Sequence, residues 1–135
     1  MKKILLTLIC VLSLCLLASC SKDVSGTYKF KSMETSVLGE AVVVNANEEN
    51  SLLGFTLNEN YIVLNLDENG TYNLVLDGKQ TSNLEIEETG TWSFSDDVLT
   101  LTSTDGVSTT AACVDDVITL TYTVYGVSSV LTLSK

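Results

Sequence analysis

The chain has 135 residues, 45% of them hydrophobic and 18% charged, with seventeen acids, seven lysines and neither histidine nor proline. A formal charge of −10 argues against nucleic acid as a partner, because phosphate binding needs basic patches. The lack of histidine removes the usual general base and the commonest metal ligand, and the length suits one domain rather than two.

The first element is a leader. Met1-Lys2-Lys3 is a short basic start, residues 4–17 are apolar apart from Thr7 and Ser13, and Leu17-Ala18-Ser19-Cys20 closes the run. Basic start, apolar stretch and small-residue close are the layout of an export signal. The run falls short of the ~20 residues that a bilayer core demands, and no basic cluster follows it. Leu17-Ala18-Ser19-Cys20 resembles the lipobox of bacterial lipoproteins. The resemblance implies that residues 1–19 are a cleaved signal peptide, that the Cys20 thiol is the lipid attachment site, and that two or three acyl chains of the palmitate kind hold the protein to a membrane. Each buried methylene contributes about 0.8 kcal/mol, so two chains anchor where one holds only marginally. The implied location is the bacterial cell envelope, facing outside the cytoplasm. Ser21 after the cysteine, in place of aspartate, carries no inner-membrane retention signal by the same resemblance.

On this reading residues 20–25 form a short lipidated tether and residues 26–135 the folded domain. Cys10 and Cys15 leave with the leader and Cys20 is acylated, so Cys113 is the one thiol of the domain and no internal disulfide is expected. With no histidine or arginine to lower its pKa, Cys113 reads as a small buried hydrophobe. Lys22, Lys29, Lys31, Lys79 and Lys135 are the cations of this part, against all seventeen acids. The expected surface is soluble, self-repelling and poorly suited to anionic headgroups.

Along the domain the period is two. In Gly26-Thr27-Tyr28-Lys29-Phe30-Lys31 the aromatics fall on one face and the lysines on the other, which predicts a half-buried strand. Val42-Val43-Val44 suits a strand. Asn45, with Glu48 three positions on, predicts a short helix over residues 46–53 that Gly54 ends. From Tyr61 onward the alternation is regular: Ile62, Leu64 and Leu66, then Tyr72, Leu74 and Leu76, Leu84 and Ile86, Trp92 and Phe94, Leu99 and Leu101, Ile118, Leu120 and Tyr122, and finally Leu131 and Leu133. Turn signals stand between these runs at residues 69/70, 77/78, 89/90, 96/97, 105/106, 115/116 and 126, with Asn69-Gly70 read as a two-residue type I′ hairpin. This spacing predicts an all-β chain, an antiparallel up-and-down meander forming a small barrel or strongly curved sheet with one short helix.

Gly26-Thr27-Tyr28 opening the first strand, Leu66-Asp67-Glu68-Asn69-Gly70-Thr71-Tyr72 in the central hairpin, and Gly90-Thr91-Trp92-Ser93-Phe94 before Leu99-Thr100-Leu101 resemble the small lipocalin-like domains of bacterial lipoproteins. Lipocalins place a tryptophan in the opening motif and pack an arginine from near the last strand over it. Here Tyr28 stands in that place, and the chain has no arginine. The resemblance implies a barrel, a small apolar ligand at its mouth and no enzymatic activity.

The candidate chemistry is sparse. Asn65, Asp67, Asn69 and Gly70 imitate the start of a calcium loop, but its twelfth position is Leu76 and strands flank it, so a hairpin turn is favoured. Asp96-Asp97, Asp105 and Asp115-Asp116 would have to gather at one rim to hold a cation; solvated turns are the expectation. Glu85 and Glu87 share one outward face with Glu88 beside them, which is no facing pair for glycoside hydrolysis. No metal, no cofactor and no catalytic residue is expected. Tyr28, Phe30, Tyr72, Trp92, Phe94 and Tyr122 are candidates either for core or for the lining of a pocket. The expected function is a non-enzymatic envelope lipoprotein binding a small apolar ligand. The alternative is a protein–protein interaction module at the envelope, using Thr-rich and acidic faces and an apolar patch around Val117 and Tyr125.

Overall fold

A computed structural model describes residues 22–50, 54–81, 84–124 and 126–135. The leader and Cys20 lie outside these residues. The described strands are β1 (Gly26–Val37), β2 (Glu40–Asn45), β3 (Glu49–Asn50), β4 (Phe55–Thr56), β5 (Ile62–Leu66), β6 (Thr71–Gly78), β7 (Leu84–Ser95), β8 (Val98–Ser103), β9 (Ser108–Val114), β10 (Val117–Val124) and β11 (Val127–Ser134). From β5 to β11 each strand pairs antiparallel with the next, and β11 returns to pair with β1, which also pairs with β5. Eight strands therefore close into a barrel, and β2 lies beside the outer half of β1 as a ninth. The all-β, up-and-down expectation holds, and the curved sheet is closed.

The first strand does more than its sequence pattern shows. Its beginning pairs with β5 and its end with β2, while its other edge meets β11 across a bulge between Phe30 and Ser32. An extra residue in a strand switches which side chains face inward. Tyr28 and Phe30 point into the barrel before the bulge; after it Met33 and Thr35 do so, lying opposite Val44 and Val42 of β2.

The predicted helix over residues 46–53 is not there. Residues 51–53 lie outside the described part, but Glu49–Asn50 is strand and Asn47 sits at φ 64, a left-handed conformation that stops a helix. Asn45 and Glu48 do meet, yet as side chains, Nδ2 donating to Oε2 at 2.9 Å within a single turn. That turn sends the chain into the small hairpin of β3 and β4, tied down where the Asn47 amide donates to the Leu57 carbonyl at 2.7 Å. Leu57 is thereby buried in one core with Val42 and Val44.

One turn type differs from the expectation. Asn69-Gly70 is not a type I′ pair: Gly70 alone has positive φ (86), its amide donates to the Asp67 carbonyl, and the Asp67 amide donates to that of Thr71. This is a type I turn followed by a glycine bulge, and the Ser103–Gly106 turn repeats the pattern. Both central residues have positive φ at Asp96-Asp97 (52, 62) and Asp115-Asp116 (52, 61). Aspartate tolerates that region better than most residues.

Gly90 is not a break either. β7 runs through it for 12 residues, pairing first with β6 and then with β8. A Cβ at Gly90 would collide with the Thr102 carbonyl oxygen and would lie within 2.8 Å of the Tyr72 ring. The residue is glycine because two neighbouring strands and an aromatic ring crowd its inner face.

Candidate functional site

The two ends of the barrel differ. At one end lie the start of β1, the turns at 69/70, 96/97 and 115/116, and the end of β11. Tyr28 is fully buried there, its hydroxyl donating to the Val24 carbonyl at 2.7 Å, with Cys113 Sγ 3.9 Å away. Val24, Leu66, Leu99, Cys113 and Leu133 belong to the same buried core and close this end. Burial pushes the Tyr28 phenol and the Cys113 thiol above their ordinary values, so both are neutral.

The other end is open. Toward it the inward side chains of β6, β8, β10 and β11 stand apart around a cavity of about 320 Å³. Leu74, Leu76, Leu101, Leu120 and Leu131 are among its walls, and Ala111 keeps it wide on the side of β9. Thr109 and Tyr122 bring the polar side-chain atoms of its lining. The Tyr122 hydroxyl points at a thioether, 3.3 Å from Met33 Sδ. Thr109 is exposed, so the cavity reaches solvent.

Around this mouth the inward-facing positions continue as exposed apolar residues: Val37 (45%), Ile86 (49%), Val107 (65%) and Val127 (38%). Beside them the Ser129 hydroxyl, buried, donates to Thr35 Oγ1 at 2.9 Å. Glu88 lies opposite Leu74 on the inward face of β7, and its carboxylate accepts the Tyr72 hydroxyl at 2.6 Å. Burial and that bond push the Tyr72 phenol upward. The first half of β7 extends past β8, which is why Glu88 is exposed although it faces inward.

Of the six aromatic candidates, Tyr122 lines the cavity. Tyr28, Phe30 and Tyr72 are buried core, and Trp92 and Phe94 pack against it. The Trp92 ring is fixed where Nε1 donates to the Asp67 carbonyl at 2.9 Å. The polar candidates stay apart. Glu85 and Glu87 face outward opposite Asp77 and Val75, whereas Glu88 faces inward. Asp96-Asp97 and Asp115-Asp116 turn the closed end and Asp105 the open one, so they do not share a rim. Asn65, Asp67 and Asn69 accept hydrogen bonds from Thr27 and Thr71 within the sheet and its turn. Among the described residues no three potential metal ligands cluster. A broader depression of about 710 Å³ lies outside the barrel between Lys29, Lys31, Lys135, Glu48 and Glu59. It is an open surface groove in which Glu59 already holds Lys29 at 3.2 Å. Val117 is half-buried toward the closed end, and Tyr125 lies outside the described residues.

Thr109, Ala111 and the bulge-shifted Met33 escaped the sequence reading. The alternation after Asp105-Gly106 is weak, and the bulge leaves no mark in composition. The small residues of β9 were the available signal, since they leave space where bulky ones would fill it.

No curated protein matches this chain. Among solved structures, an uncharacterized protein from Bacteroides eggerthii DSM 20697 matches with a TM-score of 0.47 at 12% identity, over 84% of this chain and 100% of that one. The family profile of the lipocalin-like domain matches residues 24–128. That match begins at the valine that closes the barrel and takes in β1 to β10, so the chain belongs to the lipocalin-like domain family.

Proposed function

We propose that this protein is a cell-envelope lipoprotein, anchored through acyl chains on Cys20, whose barrel holds a small apolar ligand and catalyses nothing. The observation that carries the reading is the cavity of about 320 Å³, walled almost wholly by leucine, isoleucine and alanine and in contact with solvent. Sites for small molecules are concave, mostly apolar and provided with a few polar groups, and an apolar cavity of this size would be costly to keep for packing alone. The anchor rests on the lipobox resemblance. The test uses the full chain in phosphatidylcholine nanodiscs, with empty discs subtracted, and the neutral probe N-phenylnaphthylamine. Probe fluorescence is expected to rise and saturate, and Ala111→Phe, which fills the cavity, is expected to abolish the rise. A signal untouched by that substitution overturns the reading.

A second reading, an interaction module for another envelope protein, is favoured by one observation. Val37, Ile86, Val107 and Val127 surround the mouth, and Leu38 stands fully exposed at the tip of the β1–β2 hairpin. Leu38→Asp with Val107→Asp would remove a partner crosslink while leaving probe binding intact.

A further inference from the structure

We propose that Tyr122 selects the ligand: its hydroxyl donates to the oxygen of an uncharged amphiphile, so the cavity takes a ketone, ester or ether with a short apolar body and refuses a carboxylate. This rests on the reading that the cavity holds a ligand, and adds what kind.

The hydroxyl is in an unusual position. Tyr122 lies on β10 with Leu120 and Ile118 below it toward the closed end, and all three line the cavity. Its hydroxyl has Met33 Sδ as partner at 3.3 Å. A thioether is a weak acceptor, so an oxygen arriving in the cavity offers that O–H a stronger bond than the one it gives up. That contact depends on the bulge in β1, which turns Met33 inward.

Charge decides the rest. None of the described lysines lines the cavity. Lys22 and Lys135 stand at the closed end beside Asp97 and Asp116. Lys29 and Lys31 border the outer groove, and Lys79, at the open end, is paired with Glu85 at 3.5 Å. An acid, Glu88, stands on the inward face of β7. A carboxylate in this cavity would lose its hydration with no cation to meet it. A neutral oxygen needs one donor, and Tyr122 has one to give.

Size bounds the body of the ligand. A water takes about 30 Å³ of liquid, so the cavity has room for on the order of ten non-hydrogen atoms. A long-chain lipid would not be contained.

The test compares methyl octyl ketone, decanoate, decylammonium and n-decane, which share one chain length. Each is titrated calorimetrically into the full chain in phosphatidylcholine nanodiscs, with empty discs as blank. The ketone is expected to bind tightest. Tyr122→Phe keeps the ring and is expected to weaken the ketone about tenfold while leaving decane unchanged. Met33→Leu, which removes the competing acceptor, is expected to tighten the ketone. Tighter binding of decanoate or decylammonium overturns the proposal, as does a Tyr122→Phe loss shared equally by ketone and decane. If decane binds and the ketone binds no better, the selection by Tyr122 fails and the apolar cavity stands. If none of the four binds, both fall.

Discussion

The ammonium of Lys135 stands 5.7 Å from the centre of the Tyr28 ring. A residue just after the last strand thus covers the aromatic side chain with which the first strand enters the core. Lipocalins do this with an arginine over a tryptophan, and here the same cap is built from lysine and tyrosine. A cation over an aromatic face contributes about 0.5–1 kcal/mol where it is partly exposed. Lys135→Ala should lower stability by that amount in urea denaturation, and Lys135→Arg should restore it. The nearby pair with Asp116 at 3.6 Å is exposed and adds little, so Asp116→Asn should be nearly silent.

Gly90→Ala should be far more damaging than Gly39→Ala. The added methyl would meet the Thr102 carbonyl and the Ser103 Cα, which are backbone and cannot swing aside. A loss of more than ~3 kcal/mol, or failure to fold, is the expected result. Gly39→Ala is the comparison: nothing lies within 4 Å of its Cβ position, and only its φ of 84 resists the change, at about 1 kcal/mol. Equal losses in the two variants would refute the crowding argument.

Alkali should unfold the protein through its tyrosines. Tyr28 and Tyr72 are held neutral in the folded state, both chiefly by burial, with pKa values above the ordinary value. The unfolded chain ionises near pH 10. Their contribution is therefore complete below pH 10 and declines as pH rises beyond it, by up to about 1.4 kcal/mol per pH unit for each tyrosine. Tyr72→Phe should flatten that decline between pH 10 and 11 in denaturant titrations. An unchanged slope would remove Tyr72 from the account.

Cys113 should be inert in the native protein. It is 1% exposed and burial raises its pKa, so little thiolate is present or reachable. Alkylation by iodoacetamide, followed on the peptide carrying Cys113 by mass spectrometry, should need denaturant. Rapid labelling without it would mean that the closed end opens.

The two-aspartate turns leave stability to be gained. Asp97 and Asp116 hold φ 62 and 61, where glycine is free of the cost that a side chain carries. Asp97→Gly should raise the urea midpoint, by about 0.5–1 kcal/mol in stability. A fall would show that the pair with Lys22 at 4.0 Å matters more than the backbone.

Much of the barrel was legible because the strands from β5 to β11, apart from the small-residue β9, write their inward face at every second residue, and each turn carries glycine, asparagine or aspartate. The part that was not legible lies between Met33 and Asn58. There the bulge reverses the inward parity of β1 with no compositional mark, and Asn45 and Glu48 carry the signature of a helix cap while serving a turn. Gly90 misled for a related reason, since a glycine demanded by crowding reads the same as one demanded by a turn. The cavity was legible only in outline. Its walls are the predicted apolar face, but whether leucines meet at the centre or stand apart depends on the small residues of β9 and on the number of strands that close.

The pairing of β1 with β11 also bears on how the protein comes into being. Most contacts in the barrel join strands adjacent in the chain, but this seam joins strands separated by nearly the whole domain, and pairings of that kind form late. Until Val127–Ser134 arrives, β1 and β10 each show an unpaired edge of the sort that recruits other chains. The last strand is the latch of the barrel, and a chain cut short before it would be prone to pair with its own kind.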